Sequence, residues 1–250
     1  MDFQLGGRVA LVTGATSGVG RAIAQTLARE GASVAVNYNS SADAANAIVR
    51  EIEEAGGKAK AYRADVSDWA AVQSGVGKIV EDFGSLDILI NNAGFVERKA
   101  FESTTPEDWQ KQIGSCLYGA VHCCHAAAPH LKKSGHGRIV GLIGDSSRVG
   151  ESGLALAAAA RAGAVGLIKS LAREMGRYGV TANAISLGLV ETGHGQEWLD
   201  ANREKLVKFY PTRRLGKADD VPPLVALLAS DSGSWITGQT ISVSGGYCMV

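Results

Sequence analysis

Apolar runs of strand length alternate along the chain with segments whose apolar residues recur at helical spacing, and the alternation continues to its end. Val9 to Val12 is wholly apolar and meets glycines at 14, 18 and 20. Ala22, Ile23, Ala24 and Leu27 then mark one helix face, so the opening reads strand, glycine turn, helix. Gly31 closes that helix from just beyond its last turn. Ser33 to Val36 predicts a second strand, about Ser41 to Ala55 a helix stopped by Gly56 and Gly57, and Ala59 to Arg63 a third strand. Another helix ends before Gly84. Leu86 to Ile90 is a fourth strand, apolar throughout, as strands covered on both faces are.

Thr105 as N-cap, Pro106 at the first helical position and Asp108 in capping-box position open a long helix toward Lys133, bent near Pro129. Gly137 to Ile143 is a fifth strand, and an alanine-rich helix follows from Leu154 to about Gly176. A sixth strand lies near Val180 to Ile185, and a last helix covers Val221 to Ala229. This pattern predicts one α/β domain over residues 1–250, with a parallel sheet and helices on both faces.

Composition narrows the function. Twenty-five basic and twenty-five acidic residues cancel, which argues against a nucleic acid or an anionic membrane as partner. No apolar run is read as membrane-spanning, and Met1 to Leu5 lacks the basic-then-apolar layout of a signal peptide, so the expected location is cytoplasmic. Cys116, Cys123, Cys124 and Cys248 fit neither a disulfide framework nor a zinc site and are expected as reduced thiols. His122 and His125 share a helix face without a third ligand, which predicts surface or interface histidines and no metal.

The glycine turn carries the first chemistry. Glycine permits positive φ and close backbone approach, and the following helix offers unpaired N–H groups and a positive dipole end to a pyrophosphate. In dinucleotide folds the end of the second strand selects the cofactor. Here Asn37-Tyr38-Asn39-Ser40 has no acidic residue for the 2′-hydroxyl of NAD and no Arg for the 2′-phosphate of NADP, so the choice stays open.

Thr13-Gly-Ala-Thr-Ser-Gly-Val-Gly20 together with Asn91-Asn92-Ala93-Gly94 resembles the short-chain dehydrogenase/reductase family, and the likeness runs on to Ile236–Gly246. The resemblance implies a doubly wound Rossmann fold with a seven-stranded parallel sheet, dimers or tetramers, and a substrate-covering segment near Leu189 to Tyr210. It places cofactor contacts at Gly14, Gly18, Gly20, Asp65, Asn91, Ala93 and Gly94.

The family's catalytic Asn, Ser, Tyr and Lys would stand at Cys116, Gly144, Ala157 and Arg161, so all four are replaced. Leu187-Gly188 also replaces the usual Pro-Gly pair. An alanine has no proton to give, and an arginine stays protonated. Asp145, Arg161 and His194, with Glu151, are the groups that alternative chemistry would use. Ser146 is read as a solvated loop serine, Cys116 as a small buried hydrophobe, and Trp198, Phe209 and Tyr210 as packing residues. Ser-Asp-x-x-Arg-Val-Gly is the motif of a subgroup that includes hydroxyacyl-CoA dehydrogenases. Asp145 to Gly150 is similar to it, and a local contact between Asp145 and Arg148 is expected to hold the loop.

These features lead to the expectation of a non-catalytic subunit that assembles with an active paralogue bearing the full tetrad. The anaerobic toluene β-oxidation dehydrogenase is a pairing of that kind. Rewired non-redox chemistry (an isomerase, dehydratase or cyclase) and a dinucleotide-sensing regulator are the alternatives. The loss of the Tyr and Lys positions predicts weak or absent NAD or NADP binding.

Overall fold

The computed structural model describes residues 3–192 and 196–250. Seven parallel strands form one sheet in the order β3-β2-β1-β4-β5-β6-β7. They are β1 (Val9–Val12), β2 (Ser33–Tyr38), β3 (Lys58–Arg63), β4 (Ile88–Asn91), β5 (Arg138–Gly144), β6 (Thr181–Leu187) and β7 (Thr240–Val243). The order reverses between β1 and β4, where open α/β sheets leave a crevice outside the carboxyl ends of their strands.

β1 and β4 have no exposed position, because helices cover both sheet faces. On one face lie α1 (Gly18–Arg29), α2 (Ala42–Glu54) and α9 (Pro222–Ala229), packed over Val12, Val34, Ile90 and Ile185. On the other lie α3 (Trp69–Phe83), α5 (Gly119–Ser134) and α7 (Ala155–Met175), packed over Leu11, Leu89, Ile139 and Ala184. Alternation along each strand sends its side chains in turn to the two cores.

The long helix beginning at Pro106 is interrupted earlier than its proline suggested. After α4 (Pro106–Ile113), residues Gly114–Tyr118 form a π-helical turn, whereas Pro129 lies inside α5. The predicted capping box is present: Asp108 N donates to Thr105 Oγ1 and Thr105 N donates to Asp108 Oδ2. Gly119, just past the π turn, sits so close to Val66 that a Cβ there would lie 2.7 Å from a valine methyl.

One helix is, by length and composition alone, long and apolar enough to cross a membrane, contrary to the sequence reading: residues 155–178, with a mean hydropathy of 1.4. In the fold it is the crossover helix between β5 and β6, with Ala157, Ala160, Ala164, Ile168, Ala172 and Met175 on its buried face. A short α6 (Ser146–Val149) precedes it, and α8 (Gln196–Leu206) lies in the predicted covering segment. His194 lies outside the described residues.

Candidate active site

The crevice at the carboxyl ends of β1 and β4 is assembled by three polar side chains. Thr13 Oγ1 donates to Ile90 O at 3.1 Å and accepts from Asn92 N at 2.9 Å and Ala93 N at 3.0 Å, pinning β1 to the loop after β4. Asn92 Nδ2 donates to Thr13 O and Gly14 O at 2.9 and 3.0 Å. From the other side, Asn37 Oδ1 accepts Gly14 N at 3.2 Å, and its Nδ2 donates to Ala64 O at 3.0 Å.

The three side chains hold the turn so that α1 opens toward the crevice. Ser17 occupies its N-cap without a side-chain hydrogen bond to the helix, so the first N–H groups are left for an anionic ligand. Gly14 has φ +60°, and a Cβ there would lie 2.9 Å from Ala93 Cα, so both the conformation and the close approach require glycine. These features fit the pyrophosphate of a dinucleotide.

Of the residues expected at the cofactor, Gly14, Gly18, Gly20, Ala93 and Gly94 do gather at this crevice. Asp65 stands at its edge, its carboxylate accepting from Asn39 Nδ2 and from Ser67 N and Oγ. Those bonds outweigh its partial burial and hold it below the usual carboxylate range. Asn91 points away instead, into the helix layer, where its Nδ2 lies 3.2 Å from Cys124 Sγ. The neighbouring Asn92, like Asn37, was missed, because its role depends on carbonyls distant in sequence.

Beneath the crevice a cavity of about 20 Å³, room for one water, is lined by Thr13, Asn91, Cys116, Cys124, Gly141 and Ile168. Burial pushes the Cys124 thiol up to about 12, so it is inert. Cys116 Sγ lies 3.4 Å from Phe95 O and is buried as a small side chain, as expected. Arg161 Nη1 donates to Leu142 O at 2.5 Å. A Cβ on Gly94 would meet Arg161 Nη2 at 2.9 Å and Cys116 Sγ at 3.0 Å, so guanidinium and thiol flank the same glycine. Ala157 is buried one helical turn before Arg161.

Around Gly144 one expectation is corrected. Ser146 is buried in α6 rather than solvated, and its Oγ lies 3.4 Å from where a Cβ on Gly144 would stand. Asp145 and Arg148 do meet in the loop, where Arg148 N donates to Asp145 O at 2.8 Å, and their side chains are joined through a third: Arg148 Nη1 donates to Ser242 Oγ at 2.7 Å, and Ser242 Oγ donates to Asp145 Oδ1 at 3.3 Å. Ser186 Oγ also donates to that oxygen, while Asp145 Oδ2 is buried without a partner among the described residues. Glu151 instead pairs with Arg98. Tyr210 stacks on Tyr247 with ring centroids 5.3 Å apart, and its hydroxyl accepts Leu189 N at 2.9 Å. Burial raises both phenols. Trp198 and Phe209 are about half exposed. Away from the crevice, His122 and His125 pack on the Trp69 ring, and His122 Nδ1 donates to Val66 O.

A family model described as enoyl-(acyl carrier protein) reductase matches residues 14–248. The chain belongs to the short-chain dehydrogenase/reductase family. A relative in Staphylococcus aureus, named 3-oxoacyl-[acyl-carrier-protein] reductase FabG, is 39% identical over 240 residues, covering 96% of this chain and 98% of its own. Among solved structures, a short chain dehydrogenase from Burkholderia cenocepacia J2315 in complex with NADP superposes with a TM-score of 0.89 at 37% identity. It covers 98% of this chain and 99% of its own. A blue fluorescent protein from a metagenomic library, in complex with NADPH, gives a TM-score of 0.91 at 31% identity, covering 98% and 100%.

These relatives correct the expectation of a non-catalytic subunit: proteins aligned along nearly the whole chain are named as reductases. Neither the hydroxyacyl-CoA subgroup nor a paired paralogue finds support among them. Nor is weak or absent dinucleotide binding supported, since two structures of this fold hold NADP or NADPH.

Proposed function

We propose that this chain is an NADP(H)-dependent oxidoreductase interconverting the 3-oxo and 3-hydroxy forms of an acyl thioester. The observation that carries the reading is the uncapped opening of α1, aimed into the crevice by Thr13, Asn37 and Asn92. The names of its relatives supply the substrate class.

The reading includes the replacement of the family's tetrad by Cys116, Gly144, Ala157 and Arg161. A bound nicotinamide would supply or accept the hydride. Ser146, whose Oγ stands near the place of a side chain on Gly144, donates a hydrogen bond to the substrate oxygen. Arg161 keeps a permanent positive charge beneath the crevice, and the proton comes from water. Without a positioned acid, turnover is expected about 10²–10⁴ below that of a tyrosine-bearing relative. Self-association as a dimer or tetramer belongs to the same reading, supported by Trp235, which is 98% exposed, and by the small outer residues of α7.

The test is NADPH oxidation with acetoacetyl-CoA by the purified protein. Slow oxidation that needs the thioester, and that falls in Ser146→Ala, is expected. No oxidation above the protein-free rate would overturn the reading.

A further inference from the structure

The loop that receives the adenosine ribose in this fold lacks an arginine of its own, but the sheet register supplies one. In the β2–β3 pairing Tyr38 lies opposite Arg63, so Arg63 leaves the carboxyl end of β3 beside Asn39. Its Nε donates to Asn39 O at 3.2 Å, which tethers the guanidinium over the loop. Nη1 and Nη2 have no partner among the described residues, and the side chain is exposed.

The distance to the pyrophosphate turn is bridged by hydrogen bonds already described. Ala15 N donates to Asn37 O at 3.1 Å and Gly14 N donates to Asn37 Oδ1, so the glycine turn and the end of β2 move as one piece. Ser40 and Ser41 follow Asn39, and Ser41 is the N-cap of α2 without a side-chain hydrogen bond to the helix. The nearby carboxylate of Asp65 is taken up by Asn39 and Ser67. Asp43, in the first turn of α2, is the nearest acid in sequence.

From this arrangement we infer that Arg63 is the residue that selects NADP over NAD, its free fork binding the adenosine 2′-phosphate beside the Ser40 and Ser41 hydroxyls. A planar fork with two unused N–H groups matches a phosphate bidentately, and no acidic side chain at the end of β2 is placed to repel it. The inference rests on the NADP(H)-dependent oxidoreductase reading above and adds to it the side chain that chooses the cofactor.

Isothermal calorimetry of the intact protein with NADP, NAD and 2′,5′-ADP tests it by binding alone. NADP is expected to bind about tenfold to hundredfold more tightly than NAD. Arg63→Ala is expected to remove that margin while leaving NAD within about twofold, and Arg63→Lys to restore part of it. Binding of 2′,5′-ADP is expected to weaken in Arg63→Ala as NADP binding does. An NADP preference unchanged in Arg63→Ala would overturn the assignment and leave the oxidoreductase reading standing, whereas equal affinity for NADP and NAD would overturn the assignment and, with it, the NADP(H) preference of that reading. No binding of either dinucleotide would overturn both.

Discussion

Gly20→Ala is a single methyl added where the glycine turn meets α1, and the structure gives its cost. An alanine Cβ at Gly20 would overlap the Gly14 carbonyl oxygen and lie 2.5 Å from Asn92 Nδ2. Neither neighbour can give way cheaply: Gly14 is backbone, and Asn92 Nδ2 is held to Thr13 O and Gly14 O. Losing both hydrogen bonds costs about 1 kcal/mol each, and forcing a methyl into a filled space about 1–3 kcal/mol more. Alanine returns about 1 kcal/mol of helix propensity, which leaves a net loss of about 2–4 kcal/mol. Gly77→Ala is the matched control. It lies exposed within α3 with nothing within 4 Å of the added Cβ, so the same substitution should stabilise by about 1 kcal/mol. Urea denaturation of both variants reads the two signs, and NADP titration of Gly20→Ala should show weakened binding. A Gly20→Ala protein within about 0.5 kcal/mol of wild type would refute the steric account of the turn.

Three further outcomes follow from the same geometry. Arg138 is buried at the start of β5 and donates to Ser230 O, Gly137 O and Gly179 O as well as to Asp231. Arg138→Met should therefore cost about 2–4 kcal/mol in chemical denaturation, by leaving carbonyls unpartnered. The hydrogen bond from Arg8 holds Asp231 below the usual carboxylate range, so its contribution is present above about pH 4 and is lost as pH falls through its lowered folded value. Asp231→Asn should flatten the acid limb of a stability-versus-pH curve by less than about 1 kcal/mol, because the carboxylate is largely exposed. On the proposed reading, placing the four family residues together (Cys116→Asn, Gly144→Ser, Ala157→Tyr, Arg161→Lys) should raise kcat by about 10²–10⁴ and give the pH–rate profile a basic limb that steady-state assays can read.

The elements most readable from sequence were those whose evidence is local. Val9–Val12 followed by the glycine turn needs only neighbouring residues to declare itself, as does the capping box at Thr105 to Asp108. The π turn at Gly114–Tyr118 was hidden because its residues continue a helical pattern. Pro129, the obvious irregularity, is tolerated inside α5, while the close approach of Gly119 to Val66 comes from another part of the chain.

The candidate site divides in the same way. The glycines were legible, but the side chains that aim them, Asn37 and Asn92, act on backbone atoms distant in sequence. Arg63 is not announced locally, because the end of β2 carries no cation of its own and only the sheet register sets the end of β3 beside it. Ser242 joins Asp145 to Arg148 from the far end of the chain, a link that no local spacing announces.

The central claim, that this crevice carries hydride transfer, is tested most directly by isotope tracing, which registers even very slow turnover. The protein is incubated with NADPH deuterated at the transferable position of its nicotinamide and with acetoacetyl-CoA, and the product is analysed by mass spectrometry. The account predicts 3-hydroxybutyryl-CoA carrying one deuterium at C3, formed in proportion to protein concentration. Absence of labelled product at saturating cofactor and substrate would contradict it.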